Sequence, residues 1–216
     1  MIVYSQFFND LGEELSVIAG TIVDIQKPGE NIVVLNLSGE EYDNEQQKSQ
    51  KRIITVTFEN TEADKLADRV GHSYPGGFIS ILCELDGNSA KAREFKYKGK
   101  WDVPYIKQDG TEGKSMMIFG YATRPKKLSD DEFVCTIPYD EGFGNSKKTV
   151  WQGVRFSAKR LSDEKHQKLV ERAEKMLSIP ENGKSRFVAV SVGEDWTNEV
   201  NGTVYHNAYA SNFWVL

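Results

Sequence analysis

The chain has 216 residues, a hydrophobic fraction of 39%, a charged fraction of 27% and a formal net charge of −5. That length accommodates one large core or two small ones, and no apolar run approaches the roughly 18–20 residues that span a bilayer, which excludes a helical membrane protein. The acidic balance argues against coating of duplex DNA by bulk positive charge, and the first ten residues lack the basic-then-apolar pattern of a secretory leader, so the cytoplasm is the expected compartment.

Residues 17–25 (VIAGTIVDI) form the first expected strand, a turn follows at Lys27-Pro28-Gly29-Glu30, and residues 31–37 (NIVVLNL) form the second. A polar tip carries Tyr42, Lys48, Lys51 and Arg52 and is a candidate lip for a groove. In the return strand, Ile54, Val56 and Phe58 alternate with Thr55 and Thr57, the period of a half-buried strand. Thr61, three residues before Asp64, predicts a helix cap, and Ala63, Leu66, Ala67 and Val70 predict one apolar helix face. Gly71 and Pro75-Gly76-Gly77 break the chain before a strand at 78–84. Segment 91–101 (KAREFKYKGKW) then interleaves Phe95, Tyr97 and Trp101 with Arg93, Lys96, Lys98 and Lys100. By its order it falls in the loop between a fourth and a fifth strand, as a two-sided arm whose aromatic side either stacks bases or packs on its own barrel.

The same order repeats. Strands are expected at 117–122 and 133–139, then a polar tip with Phe143, Lys147 and Lys148, then a strand at 149–156 (TVWQGVRF). Ser162 predicts the start of a longer helix with an apolar stripe of Leu169, Val170, Ala173, Met176 and Leu177, and strands follow at 186–192 and 205–216. Strand, strand, strand, short helix, strand, strand is the order of an oligonucleotide/oligosaccharide-binding (OB) barrel, a five-stranded Greek-key barrel. The expected fold is all-β with short helices, as two tandem OB barrels at 1–114 and 115–216. They are expected to meet near Ser115, with 114–121 serving as the last strand of one and the first of the next.

Single strands are held by flat side chains that stack on bases and cations that meet phosphates. Alternation along 149–156 puts Val150, Gln152, Val154 and Phe156 on one face and Thr149, Trp151, Gly153 and Arg155 on the other. Trp151 and Arg155 on an open face would form a stacking and phosphate pair, with Gly153 leaving room between them; a buried Trp151 is the competing reading. Basic residues concentrate at 91–107 and 147–160, and Lys126 and Lys127 extend the second track.

The second copy resembles the bacterial single-stranded-DNA-binding protein family over residues 120–216. Gly120-Tyr121-Ala122-Thr123-Arg124-Pro125 looks like that family's opening Gly-x-x-Thr-Arg-x-Pro strand, one residue shorter. Residues 149–156 look like its Thr-x-Trp-x-x-Val…Phe strand, residues 187–192 occupy the slot of its fourth strand, and Asn201-Gly202-Thr203-Val204-Tyr205 looks like its Asp-Gly-x-x-x-Tyr return strand. The resemblance implies base stacking by Trp151, Phe156 and Trp196. The shortened spacing turns Phe156 to the opposite face from Trp151, so stacking and core roles both stand for it. The first copy resembles the family more weakly, over 18–83, with Arg52 or Ile53 where Trp151 stands. The chain ends without the acidic tail by which family members recruit partners, so no such recruitment is expected. Two joined barrels could reach a four-barrel assembly as a homodimer.

The expected function is therefore largely sequence-independent single-stranded DNA binding in replication, repair or recombination, without metal, nucleotide or other cofactor, and the tandem, tail-less design suggests a phage or mobile-element setting. His72, His166 and His206 are scattered, the carboxylates are dispersed, and residues 142–148 lack the spacing of a phosphate loop, so no enzyme is expected. Cys83 and Cys135, far apart and among apolar neighbours, are expected to be core thiols. A protein-binding OB module and single-stranded RNA binding remain as alternatives.

Overall fold

A computed structural model describes the chain apart from residues 1, 2, 10, 44–47, 107–108, 143–146, 160 and 179–184. It is built mostly of strands in two sheets, with two helices among the described residues. Contacts divide it into compact units Met1–Tyr97 and Lys98–Leu216.

In the first unit, β1 (Val3–Phe8), β2 (Glu14–Gly29), β3 (Ile32–Asp43) and β4 (Lys48–Glu59) precede α1 (Leu66–Val70), followed by β5 (Phe78–Asp86) and β6 (Ser89–Lys96). β2 serves two neighbours: Ser16 to Thr21 pair antiparallel with β5, and Thr21 to Gly29 pair with β3. β4 runs parallel to β6, and β6 is antiparallel to β5. The path β2, β3, β4, β6, β5 thus returns to β2 and leaves no open edge along the ring. Ile18, Leu35, Ile54, Phe58 and Ile81 are fully buried inside it, Ile54 and Phe58 as their alternation with Thr55 and Thr57 requires. α1 adds Leu66, Ala67 and Val70 to this core, whereas Ala63 lies before the helix and is exposed. Thr61 accepts the Asp64 N–H at 3.0 Å, closing a turn ahead of α1 rather than capping the helix itself.

The second unit contains β7 (Gly99–Ile106), β8 (Glu112–Tyr121), β9 (Thr123–Ser129), β10 (Glu132–Glu141), β11 (Lys148–Ser157), α2 (Asp163–Leu177), β12 (Phe187–Val200) and β13 (Thr203–Val215). β8 pairs with β12, and its continuation β9 pairs with β10, after a break at Ala122 and a left-handed Arg124 at φ 49°. β11 is antiparallel to β10 and parallel to β13, which returns antiparallel to β12. The bent β8–β9 segment therefore occupies the place of the continuous β2. Glycine is required near that bend, because a Cβ on Gly120 would lie 2.8 Å from Ile137 Cγ2. The apolar stripe of α2 is as the sequence predicts: Ala173 and Met176 are buried, with Leu169, Val170 and Leu177 packed against the core.

The division between units falls earlier than the sequence pattern places it. β7 is a hairpin partner of β8 and shares its sheet, so 114–121 is no strand common to both units. Segment 91–101 is accordingly no arm between a fourth and a fifth strand: it comprises most of β6 and the start of β7. The connection between β5 and β6 is a tight turn at Gly87 and Asn88, with Gly87 at φ 56°. Cys83 and Cys135 are buried free thiols, and burial pushes each up to about 12. No helix among the described residues is long and apolar enough to cross a membrane.

Candidate nucleic-acid interface

Strand pairing assembles one continuous outward face in the second unit. Directly paired residues point to the same side of a sheet. One row across the face is therefore Thr123 (β9), Thr136 (β10), Gly153 (β11), Asn207 (β13) and Trp196 (β12). A neighbouring row is Lys126, Val134, Arg155 and Tyr209, on β9, β10, β11 and β13. Trp151, two residues from Gly153 on β11, pairs with Pro138 and joins the same face.

The burial pattern of β11 follows the alternation in its sequence. Val150, Gln152, Val154 and Phe156 are buried, while Trp151 is 53% exposed. The alternative of a buried Trp151 is thereby removed. The Arg124 guanidinium lies 6.0 Å from the Trp151 ring centroid, so a cation approaches the indole while much of the ring remains open. Trp196 and Tyr209, both exposed, lie against each other with centroids 4.9 Å apart and planes 35° from parallel. Tyr205 is also exposed and shares the outward parity of Asn207 and Tyr209. Between the aromatics, Asn207 donates to Asn198 Oδ1 at 2.6 Å, and a Cβ on Gly153 would stand 3.0 Å from Asn207 Oδ1. The glycine thus makes room for the Asn207 side chain as well as for any ligand.

The face is cationic at one border, and part of that charge is already paired. Arg155 reaches Glu132 at 2.9 Å and Lys159 reaches the same carboxylate at 3.0 Å. The bond from Lys159, together with the nearby Arg155 charge, holds Glu132 below the usual carboxylate range. At the tip side Lys147 pairs with Asp140 at 2.9 Å, and with Thr149 it lowers that carboxyl too. Lys148 is exposed beside it, and Lys100 pairs with Glu141 at 3.1 Å. Phe143 lies outside the described residues, as do Lys107 and Arg160 at the ends of the basic tracts.

Neither a scan against protein-family models nor a search of curated proteins returns a match.

Several residues with the right chemistry stand elsewhere. Phe156 is fully buried and packs on Phe213 at 4.2 Å, so of its two readings the core role holds. Trp101 is only 6% exposed, because its place on β7 opposite Met117 turns it inward. In the first unit, Phe95 packs edge-on against Phe58 and Tyr97, and the Tyr97 hydroxyl bonds Ser73 at 2.8 Å. This is the packing alternative for the aromatic side of 91–101. Arg93 meets the carboxylates of Glu84 and Glu13, and the Lys96 carbonyl accepts from Ser80. Lys98 is exposed at the start of the second unit.

Register also identifies what the first unit puts in place of the aromatic face. Thr55 and Thr57 pair with Ser89 and Lys91 in the parallel register that joins Gly153 and Arg155 to Asn207 and Tyr209. Ile53, 44% exposed, therefore stands where the second unit has Trp151. Arg52 is committed to the turn, donating to Gly87 O at 2.7 Å and Asn88 Oδ1 at 3.0 Å, and Lys51 is exposed beside it. The Tyr42 backbone pairs with Ser49 on β4; its side chain lies outside the described atoms. The neighbouring cleft, about 790 Å³, sets Glu13, Glu59, Glu84 and Asp86 against Lys91 and Arg93.

Sequence reasoning missed Arg124, Tyr205 and Tyr209 as members of the face. The alternation of Thr203, Tyr205, Asn207 and Tyr209 was the available signal for the tyrosines. For Arg124 the available signal was its place in the Gly120 to Pro125 motif, while its left-handed backbone and its approach to Trp151 arise only at the β8–β9 bend. His166 meets Asp131 at 2.8 Å on the surface, and no group of three or more metal-binding side chains occurs among the described residues.

Proposed function

We propose that the chain is a pair of tandem OB barrels and that the second holds single-stranded DNA, largely without regard to sequence. The barrel reading is supported in both units by the ring order, by the parallel pairing of the third and fifth ring strands, and by a helix between the third and fourth. The observation that carries the functional reading is the open outward face of Trp151, Trp196, Tyr205 and Tyr209 with Arg124, Lys126 and Arg155. Solvent-exposed rings gain little from folding, and every base offers a flat surface for them to cover. The first unit, with Ile53 in place of a tryptophan and a carboxylate-rich cleft beside it, contributes little to strand binding on this reading.

The test is anisotropy of fluorescein-labelled oligo-dT titrated with the chain at several salt concentrations. The expected result is saturable binding whose log affinity falls linearly with log salt, at about 0.7 per neutralised phosphate. Affinity independent of salt would favour an apolar protein interface instead. Competition by oligo-U tests the preference for DNA over RNA.

A further inference from the structure

We propose that the groove between α2 and β13 is a second binding site, which takes a short acidic peptide segment of a partner protein anchored by one bulky apolar side chain. The groove is about 330 Å³, at the small end of the range of ligand pockets and enough for a segment of one or two residues. Its apolar lining is Leu161, Leu169 and Phe213, and its charged lining is Lys165, Lys168 and Arg172, all but Phe213 supplied by α2 or the residues just before it. Spacings of three and four residues put the cations along one side of the helix.

Arg172 is the informative member. It is half-buried and donates to Asn212 Oδ1 at 3.1 Å and to the Phe213 carbonyl at 3.0 Å, two neutral acceptors. The ion pairs among the described residues include none to Arg172, so its charge is met there by the dipoles of these two acceptors rather than by a carboxylate. Burial draws its pKa below the usual value. Lys168 is partly neutralised by Glu164 at 2.5 Å, and Lys165 is exposed at the rim. An incoming carboxylate would supply the missing counter-charge.

The lining favours a peptide over a nucleic-acid strand. A base needs an exposed ring to stack on, and the ring here, Phe213, is 1% exposed and packed on Phe156. Leu161, 39% exposed, offers instead an aliphatic surface suited to a leucine or the edge of a phenylalanine. The groove does not depend on the aromatic face, and either proposal can fail without the other.

The test uses the full chain and a fluorescein-labelled peptide, Glu-Asp-Leu-Asp-Glu-Phe. The expected result is a saturable anisotropy rise, weakened roughly tenfold or more by the double charge reversal K165E/K168E and by L161D, with thermal unfolding and poly-dT quenching unchanged. A peptide with serine in place of its leucine and phenylalanine should also bind at least about tenfold more weakly. Absence of peptide binding, or binding indifferent to these variants or to the serine replacement, overturns the proposal. So does a tenfold loss of oligo-dT affinity in K165E/K168E, which would make the groove part of the strand path.

Discussion

Arg124 carries its guanidinium to 6.0 Å from the centroid of the Trp151 ring, on a backbone held at φ 49°, a conformation that a non-glycine residue adopts at some cost. The pairing joins the two chemical needs of a single-strand site, a surface for a base and a charge for its phosphate. It also distinguishes Trp151 from the buried Phe156, five residues along the same strand.

Trp151→Ala is therefore expected to weaken oligo-dT binding by about 1–3 kcal/mol while leaving the unfolding temperature nearly unchanged. Phe156→Ala should behave in the opposite sense, destabilising the fold by about 3–5 kcal/mol through the cavity it leaves. Anisotropy titration and thermal unfolding of the two variants separate these effects.

Glu132 occupies Arg155 and Lys159 at 2.9 and 3.0 Å. Glu132→Gln removes the negative charge and frees both cations, so oligo-dT binding should tighten and its salt slope steepen by about 0.7–1.4, one or two additional phosphates. An unchanged slope would show that neither cation reaches the strand.

The lowered pKa of Glu132 has a stability consequence of definite sign. A carboxyl whose folded pKa lies below its unfolded value contributes stability that is present above the unfolded value and lost as pH falls through the folded one. The same holds for Asp140, lowered by its bonds from Lys147 and Thr149. Carboxyl carbon NMR titration should place both midpoints below the free-residue values, and E132Q should flatten the acid limb of the stability curve.

The buried thiols act at the other end of the scale. Cys83 and Cys135 are pushed up to about 12, above the unfolded value, so their contribution is full below the unfolded pKa and is lost as pH rises through the folded one. Native protein should leave both thiols unreactive toward a disulfide reagent at pH 8, and denaturant should expose two.

Much of this arrangement was legible in the sequence, because strand alternation is a local property. The inward set Val150, Gln152, Val154 and Phe156 and the stripe of α2 both follow from spacing alone. Segment 91–101 was misleading for a physical reason: basic and aromatic residues interleave equally well on a strand whose rings pack inward and whose cations meet carboxylates. Phe95 packs on Phe58 and Arg93 meets Glu84, partners far away in sequence and invisible to composition. The division at Tyr97 and Lys98 was hidden likewise, since only the β7–β8 pairing reveals where one sheet ends and the next begins.

Exchange of Ile53, the counterpart of Trp151 in the first unit, for alanine should leave oligo-dT affinity within about twofold, since an aliphatic side chain offers no stacking surface. A loss comparable to that of Trp151→Ala would make the first barrel an equal partner in binding.

The most direct measurement of the central claim is intrinsic tryptophan fluorescence during titration with poly-dT at low and then moderate salt, in the parent chain, in W101F and in the double variant W151F/W196F. Trp101 is buried, whereas Trp151 and Trp196 are exposed on the proposed face. The expected result is strong quenching that salt reverses, retained in W101F and largely lost in W151F/W196F. Absence of quenching at low salt, or quenching undiminished in W151F/W196F, would contradict strand binding on this face.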